Sequence, residues 1–342
     1  MFEIREEFRK SHPDLVEKIN KSDYSFLYEN EHLGDRIILL TIGGSHAYGL
    51  NNKDSDLDIR GVALHSKEEL LGTSNFEQFL NQETDTVIYS ISKFISLASQ
   101  CNPNIIEILG CRDEDYLYIS PLGQLLLDNK DLFISKKAAK SFSGYATSQL
   151  RRIQTATARD TLTDEQLEKF IMNSTDNAKV NIFNQQDLEK YGDLDLVFNE
   201  DTKEIEVNVN FDSIPLGKFY DLMNTMKQVR DEYKNTAGRR NHKKDEKHLN
   251  KHASHLVRLL KMGSELLETG NINTYREDKD LLLSIKNGEY MKDGLFFDDF
   301  YKMVDELEQR FKKAEEESKL QSKPDYKKIE KLLIEINKAS LQ

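Results

Sequence analysis

The sequence contains little cysteine, proline or glycine, and each scarcity argues against a class of protein. Only two cysteines, Cys101 and Cys111, occur among 342 residues, which argues against a disulfide scaffold and a cysteine-rich zinc site. Five prolines and 16 glycines are too few for a linker-rich or collagenous chain. No apolar run approaches the ~18 residues of a membrane span, and the first residues lack a signal peptide's apolar core. We therefore expect a globular protein of the cytoplasm.

The charge is predominantly acidic. Lys and Arg total 48 against 60 Asp and Glu, giving a formal net charge of −12. An acidic balance counts against a nucleic-acid partner. The basic residues, however, concentrate in segments 151–159 and 239–258, and a local positive potential can still steer a polyanion. The net charge therefore predicts weak, transient contact with a nucleic acid rather than exclusion of one.

Apolar patterning divides the chain into a mixed α/β part and a mainly helical part. Segments 36–42, 56–65 and 84–91 have the β-branched or alternating pattern of strands, so we predict an α/β fold for residues 1–120. Residues 121–342 are expected to form a mainly helical domain that closes over the cleft of the first, with a β-hairpin at 195–211. The helices are predicted at 123–129, 137–157, 164–174, 218–235, 248–269, 297–320 and 324–341, with a polar, basic loop at 236–247.

A glycine-rich turn follows the first predicted strand. Segment 43–50 reads GGSHAYGL. Glycine lets a backbone approach a ligand closely, a helix N-terminus offers unpaired N–H groups, and Ser45 adds a hydroxyl donor. The pattern predicts a cradle for nucleotide phosphates around Gly44 and Ser45, although such turns are common by themselves.

Three aspartates follow this turn with regular spacing. Asp56 and Asp58 are two residues apart on a predicted strand, so both project from the same face. Asp85 lies near the start of the next predicted strand. Clustered carboxylates repel one another unless a cation lies between them, and Mg²⁺ prefers oxygen ligands shared with substrate phosphates. The three residues are therefore predicted to be catalytic metal ligands.

These residues resemble the polymerase-β-type nucleotidyltransferase superfamily, whose pattern is hydrophobic–Gly-Ser, Asp-x-Asp and a distal Asp. Segments 44–49 (GSHAYG) and 54–61 (DSDLDIRG) are more narrowly similar to the RNA-repair-associated nucleotidyltransferases of bacteria and phages. The further matching positions are Asp85, Lys93-Phe94, Asn102-Pro103, Glu107 and His255-x-x-Arg258-Leu259. The resemblance implies that Asp56, Asp58 and Asp85 hold two Mg²⁺ ions, with Mn²⁺ as a substitute. It also implies that Gly44-Ser45 holds a nucleoside triphosphate.

The resemblance implies transfer of a nucleoside monophosphate from an NTP to a hydroxyl, with release of pyrophosphate. The expected acceptor is an RNA end such as that of tRNA, and Asp85 is expected to help take the acceptor's proton. Two alternatives stay open. The acceptor could be a protein hydroxyl, as in toxin–antitoxin nucleotidyltransferases that attach AMP, or the chain could be a non-catalytic nucleotide-binding module. The sequence leaves the oligomeric state open.

Cationic residues outside this motif supply further candidates. Lys251, His255 and Arg258 share one face of a predicted helix, which favours a phosphate-binding stripe over a zinc site; a solvated helix face is the alternative. Arg60 alternates onto the face of Asp58. We predict that it orients a carboxylate, contacts a phosphate or pairs with Asp58.

Overall fold

The computed structural model describes residues 2–52, 55–161, 192–199, 204–211, 213–220, 223–224, 227, 246–292 and 295–341. The chain divides into two compact units. One unit spans residues 1–150 together with 250–342, and the other spans residues 151–249. Residue 120 lies inside the first unit, and the helix that follows it contacts strands of the N-terminal sheet. The division into a catalytic domain and a helical domain at this residue stays a prediction.

Five strands of the first unit form a mixed sheet, as the α/β prediction requires. The strands are β1 (Ile37–Ile42), β2 (Ile59–Ala63), β3 (Gln78–Asn81), β4 (Thr86–Ser90) and β5 (Tyr116–Ile119). Their order across the sheet is β3-β4-β2-β1-β5. Strand β1 is antiparallel to β2 and β5, β2 is parallel to β4, and β3 is antiparallel to β4.

Short N-terminal helices share a hydrophobic core with one face of this sheet. They are α1 (Glu6–Ser11), α2 (Pro13–Ile19) and α3 (Phe26–Glu29). Phe8 and Leu27 from these helices belong to the same buried cluster as Leu40, Ile59 and Ile88 from the central strands. Successive residues of a strand point to opposite faces. Arg60, which follows Ile59 in β2, therefore points to the face of the sheet opposite this core.

Further helices follow the strands. They are α4 (Gly44–Tyr48), α5 (Lys67–Leu71), α6 (Ile91–Ala98), α7 (Pro103–Leu109), α8 (Pro121–Asp128), α9 (Lys137–Thr161), α10 (Glu246–Thr269), α11 (Lys279–Lys286), α12 (Asp298–Glu317) and α13 (Tyr326–Ser340). They belong to the first unit, except that residues 151–161 of α9 and 246–249 of α10 belong to the second. Side chains of Ser90, Asn102 and Ser120 cap the N-termini of α6, α7 and α8, which explains where these helices begin.

The second unit contains the hairpin that the alternating pattern predicts. Strands β6 (Gly192–Asn199) and β7 (Glu204–Phe211) pair antiparallel from Gly192–Phe211 to Asn199–Glu204. A two-stranded ribbon also lies in the first unit, between β8 (Met291–Lys292) and β9 (Leu295–Phe296).

Several expectations lie wholly or mostly outside the described residues. They are the helix at 164–174, most of the helix at 218–235 and residues 236–245 of the predicted loop. Within the part of the chain that the structure describes, we find no helix both long and apolar enough to cross a bilayer.

Candidate active site

The glycine turn lies directly against the carboxyl group of Asp58. Beyond the end of β1, the Gly43 amide donates a hydrogen bond of 2.8 Å to the Asp58 carbonyl oxygen, so pairing continues past the strand. Gly44 then begins α4 with a φ of +54°, a conformation that favours glycine. A Cβ atom at residue 44 would lie 1.5 Å from Asp58 Oδ2. Glycine is therefore required here both for the backbone angle and for the approach of the carboxylate.

Two of the predicted aspartates meet at this edge of the sheet. Ile59 and Thr86 are paired in the parallel strands β2 and β4, which places the preceding residues, Asp58 and Asp85, side by side. The two carboxyl groups share a hydrogen bond. Strand β2 itself begins at Ile59, so Asp58 precedes the strand rather than lying on it as predicted. The end of β1 and the starts of β2 and β4 thus converge at one place.

The environment of Asp58 disfavours its ionised form. Burial has the largest effect, and the hydrogen bond and negative charge of Asp85 add to it, raising the pKa of Asp58 to about 7. Two carboxyl groups that lie side by side offer oxygen atoms to a divalent cation, whose positive charge would offset their repulsion. The donor set of Asp58 and Asp85 therefore fits Mg²⁺ or Mn²⁺.

Arg60 orients Asp85 rather than Asp58. Its guanidinium donates a hydrogen bond to the Asp85 carbonyl oxygen, and its Nη2 atom lies 3.2 Å from Asp85 Oδ1. Asp85 itself has a φ of +43°, which is rare for a residue other than glycine. The bonds from Arg60 hold this backbone and its carboxylate together. The prediction that Arg60 orients a carboxylate agrees with these contacts. The carboxylate is that of Asp85, which lies further along the sequence than Asp58.

Asp56 lies near the pair but does not complete a three-residue group. Its side chain is exposed, and it lies close enough to Tyr24 to help raise the pKa of that phenol, after burial, Asp23 and Asp58. Among the residues that the structure describes, no three His, Cys, Asp or Glu side chains are placed to hold one metal ion together. The structure thus brings Asp58 and Asp85 together, while the role of Asp56 stays a prediction.

The remaining candidates differ in how far they are buried. Ser45 is half-buried on α4, directly after Gly44. On α10, Lys251 is exposed and its positive charge acts on Asp58, lowering that carboxyl's pKa against the stronger opposing effects. His255 is half-buried. Arg258 is only 2% exposed and is paired with Glu107, so it does not lie on an exposed phosphate-binding stripe.

Glu107 and Tyr48 are the residues to which the motifs assigned no role. Both are buried, and both contact Arg258. Helical periodicity does place Lys251, His255 and Arg258 on one face, but it carries no information about which part of that face another helix covers. The resemblance gave the only sequence signal, because both Glu107 and Arg258 are among its matching positions.

Comparison with known proteins supports the interpretation of this region. A search of curated proteins found no match to the chain. Residues 16–168 match the model of the RNA repair pathway DNA polymerase beta family, and this stretch includes Gly44, Asp58 and Asp85. The resemblance to polymerase-β-type nucleotidyltransferases is therefore confirmed over residues 16–168.

Proposed function

We propose that the protein is a metal-dependent nucleotidyltransferase, which moves a nucleoside monophosphate from an NTP to a hydroxyl group and releases pyrophosphate. The observation that carries the proposal is the meeting of Gly44, Asp58 and Asp85 at one edge of the sheet. This edge lies within the region that matches a polymerase-β-type family.

Asp58 and Asp85 are the residues that would hold a divalent cation, with Asp56 as a further ligand. Mg²⁺, when bound, supplies positive charge for the phosphate oxygens and lowers the pKa of the acceptor hydroxyl. Arg60 keeps Asp85 in place through its two hydrogen bonds. Asp85, whose side chain is 59% exposed, is available to accept the proton of the attacking hydroxyl.

The nucleotide would be held by the glycine turn and by a nearby cation. Gly44 leaves room for close approach of the triphosphate, and Ser45 offers a hydroxyl donor. Lys251 is exposed and acts electrostatically on Asp58, so its ammonium group is suited to neutralise a phosphate that joins this carboxylate. His255 lies one turn further along α10.

We propose an RNA end, such as that of tRNA, as the acceptor. The matched family belongs to an RNA repair pathway by its description, and the basic segments 151–159 and 239–258 provide local positive charge in an acidic chain. A protein hydroxyl is the second candidate, because a net charge of −12 opposes binding of a polyanion.

Labelled substrates distinguish the two acceptors. The protein is incubated with each α-labelled NTP, Mg²⁺ and either total RNA or a cell lysate, and the products are separated into RNA and protein. Label in RNA that is removed by ribonuclease supports the RNA acceptor. Label only in protein supports the second candidate, and an absence of label from both fractions contradicts the proposed function.

A further inference from the structure

Three side chains from separate helices meet behind the glycine turn. Glu107 of α7 accepts hydrogen bonds from the Tyr48 hydroxyl of α4 through Oε2 and from Arg258 Nη1 of α10 through Oε1. Arg258 also lies over the Tyr48 ring, with its Cζ atom 3.7 Å from the ring centroid. We name this group the Tyr48–Glu107–Arg258 cluster.

The cluster is buried although two of its members carry charge. Tyr48, Glu107 and Arg258 are 6%, 8% and 2% exposed. Burial raises the pKa of Tyr48 well above its ordinary range, so the phenol stays protonated and donates to Glu107. Burial lowers the pKa of Arg258, but Glu107, through its charge and its hydrogen bond, and Tyr48 together raise the pKa by more. A buried ion pair contributes little net stability, because desolvation offsets its attraction. Stability alone therefore does not explain why these three side chains are buried together.

Residues 274–276 hold the C-terminal end of α4 and also bind Glu107. The Arg276 amide donates to the Tyr48 carbonyl oxygen at 3.1 Å, and Thr274 Oγ1 donates to the Glu107 carbonyl oxygen at 2.7 Å. Gly49 has a φ of +72° and lies against the Tyr275 ring, since a Cβ atom there would be 2.5 Å from Tyr275 Cε2. A helix of five residues is too short to fix its own position, so these contacts determine where α4 lies.

We propose that Glu107 and Arg258 are positioning residues, which act through Tyr48 to hold α4 where Gly44 and Ser45 can receive the nucleotide. Tyr48 is the last residue of α4 and Gly44 is the first, so a shift of Tyr48 moves the glycine turn relative to Asp58. The inference rests on the proposed function for its nucleotide. The placement of α4 itself can be measured without one.

The variant Glu107→Gln tests whether Glu107 positions α4. It keeps the size of the side chain, but glutamine cannot accept hydrogen bonds from both Tyr48 and Arg258 in the same way. The matched control is Asp115→Asn. Asp115 is also a buried carboxylate bound to an arginine, but its partners are Arg112 and His12. After correction for each variant's change in global stability, hydrogen exchange of the α4 amides should become at least about tenfold faster in Glu107→Gln and remain unchanged in Asp115→Asn. Equal exchange in the two variants would overturn the proposal.

Measuring the Kd and KM for the NTP distinguishes a role of Glu107 in positioning α4 from a merely structural role. At a temperature where both variants are folded, Glu107→Gln should raise the Kd and KM for the NTP by about tenfold and change kcat little. A normal Kd and KM in a variant with loosened α4 would overturn the link to nucleotide binding. If the unaltered protein binds and transfers no NTP, the proposed function fails, whereas the exchange data still decide whether Glu107 places α4.

A second variant covers the case in which Glu107→Gln does not fold. Tyr48→Phe keeps the ring beneath Arg258 and removes only the hydroxyl that donates to Glu107. It should accelerate exchange in α4 and raise the KM for the NTP in the same direction. Exchange and KM like those of the unaltered protein would contradict the positioning role.

Discussion

Asp58 Oδ2 occupies the space that a side chain on Gly44 would fill, since a Cβ atom at residue 44 would lie only 1.5 Å away. The two residues belong to different motifs in the sequence, a glycine turn and an aspartate pair. In the structure they form one surface, with the carboxylate lying against the backbone. Binding of a nucleotide at the turn and of a cation at the carboxylate would therefore occur within a few ångströms of each other.

Gly44→Ala is expected to displace Asp58 and to abolish most activity. The new methyl group cannot fit without movement, and a φ of +54° costs alanine roughly 1–2 kcal/mol. Because small misplacements of reacting groups have large effects, we expect a fall of about 100-fold in kcat/KM for the NTP. The control is Gly144→Ala in α9, where a Cβ atom meets nothing within 4 Å. Full activity of Gly44→Ala would contradict the described geometry.

Asp58→Asn is expected to lose metal binding while gaining thermal stability. The pKa of Asp58 is raised to about 7, so folding favours its protonated form. Its contribution to stability therefore falls as pH rises from its ordinary pKa of ~3.9 and is fully lost above about 7. At about pH 8 with chelator, the variant should have a higher Tm than the unaltered protein, and Tb³⁺ should no longer bind tightly.

Asp56, which lies two residues before Asp58, provides the control for the Asp58→Asn experiment. Asp56→Asn should leave the Tm in chelator unchanged, because the Asp56 side chain is exposed. A Tm for Asp58→Asn at about pH 8 that is lower than that of the unaltered protein would contradict this prediction, because it would show that the ionised Asp58 carboxylate stabilises the fold.

Arg60→Gln is expected to weaken metal binding through Asp85. The arginine holds both the carbonyl and the carboxylate of Asp85, and loss of a residue that orients a ligand typically lowers metal affinity or activity by about 10–100-fold. Mn²⁺ titration followed by calorimetry measures the change. Arg5→Gln is the control, since it breaks the ion pair of Arg5 with the exposed Asp113. Equal Mn²⁺ affinity in Arg60→Gln and the unaltered protein would refute this role.

Asp115→Asn is expected to lower stability at neutral pH and to lose this effect in acid. Burial opposes the charge of Asp115, but hydrogen bonds from His12 and Arg112 outweigh it and hold the pKa of Asp115 below its ordinary value. The ionised group therefore stabilises the fold above an unfolded pKa of ~3.9, and this contribution is lost as pH falls through the folded pKa. Denaturant unfolding near neutral pH should show a loss of about 2 kcal/mol. A difference that stays constant as pH falls below about 4 would contradict it.

The sequence predicted the parts of the fold in which local pattern and burial agree. Strands β1, β2 and β4 carry apolar or alternating residues, and each was recognised, as was the hairpin of β6 and β7. Strand β3 was missed because it is a four-residue edge strand with partly exposed side chains. Strand β5 was missed because it is equally short and directly follows an acidic turn.

Contacts between distant parts of the chain could not be predicted. The aspartates and the glycine turn were recognised from spacing, but the pairing of Arg60 with Asp85 depends on strand register. Arg258 and Glu107 are 151 positions apart. A helical pattern shows which residues share a face, but it contains no information about which of them another helix will bury.

The most direct test of the central claim follows the two ends of one NTP in the presence of acceptor RNA. With α-labelled NTP we expect label in the RNA, and with γ-labelled NTP we expect label in pyrophosphate. Asp58→Asn and Asp85→Asn should abolish both signals while remaining folded. Transfer of the γ-label to an acceptor, or undiminished transfer by either variant, would contradict the assignment of this sheet edge as a nucleotidyl-transfer site.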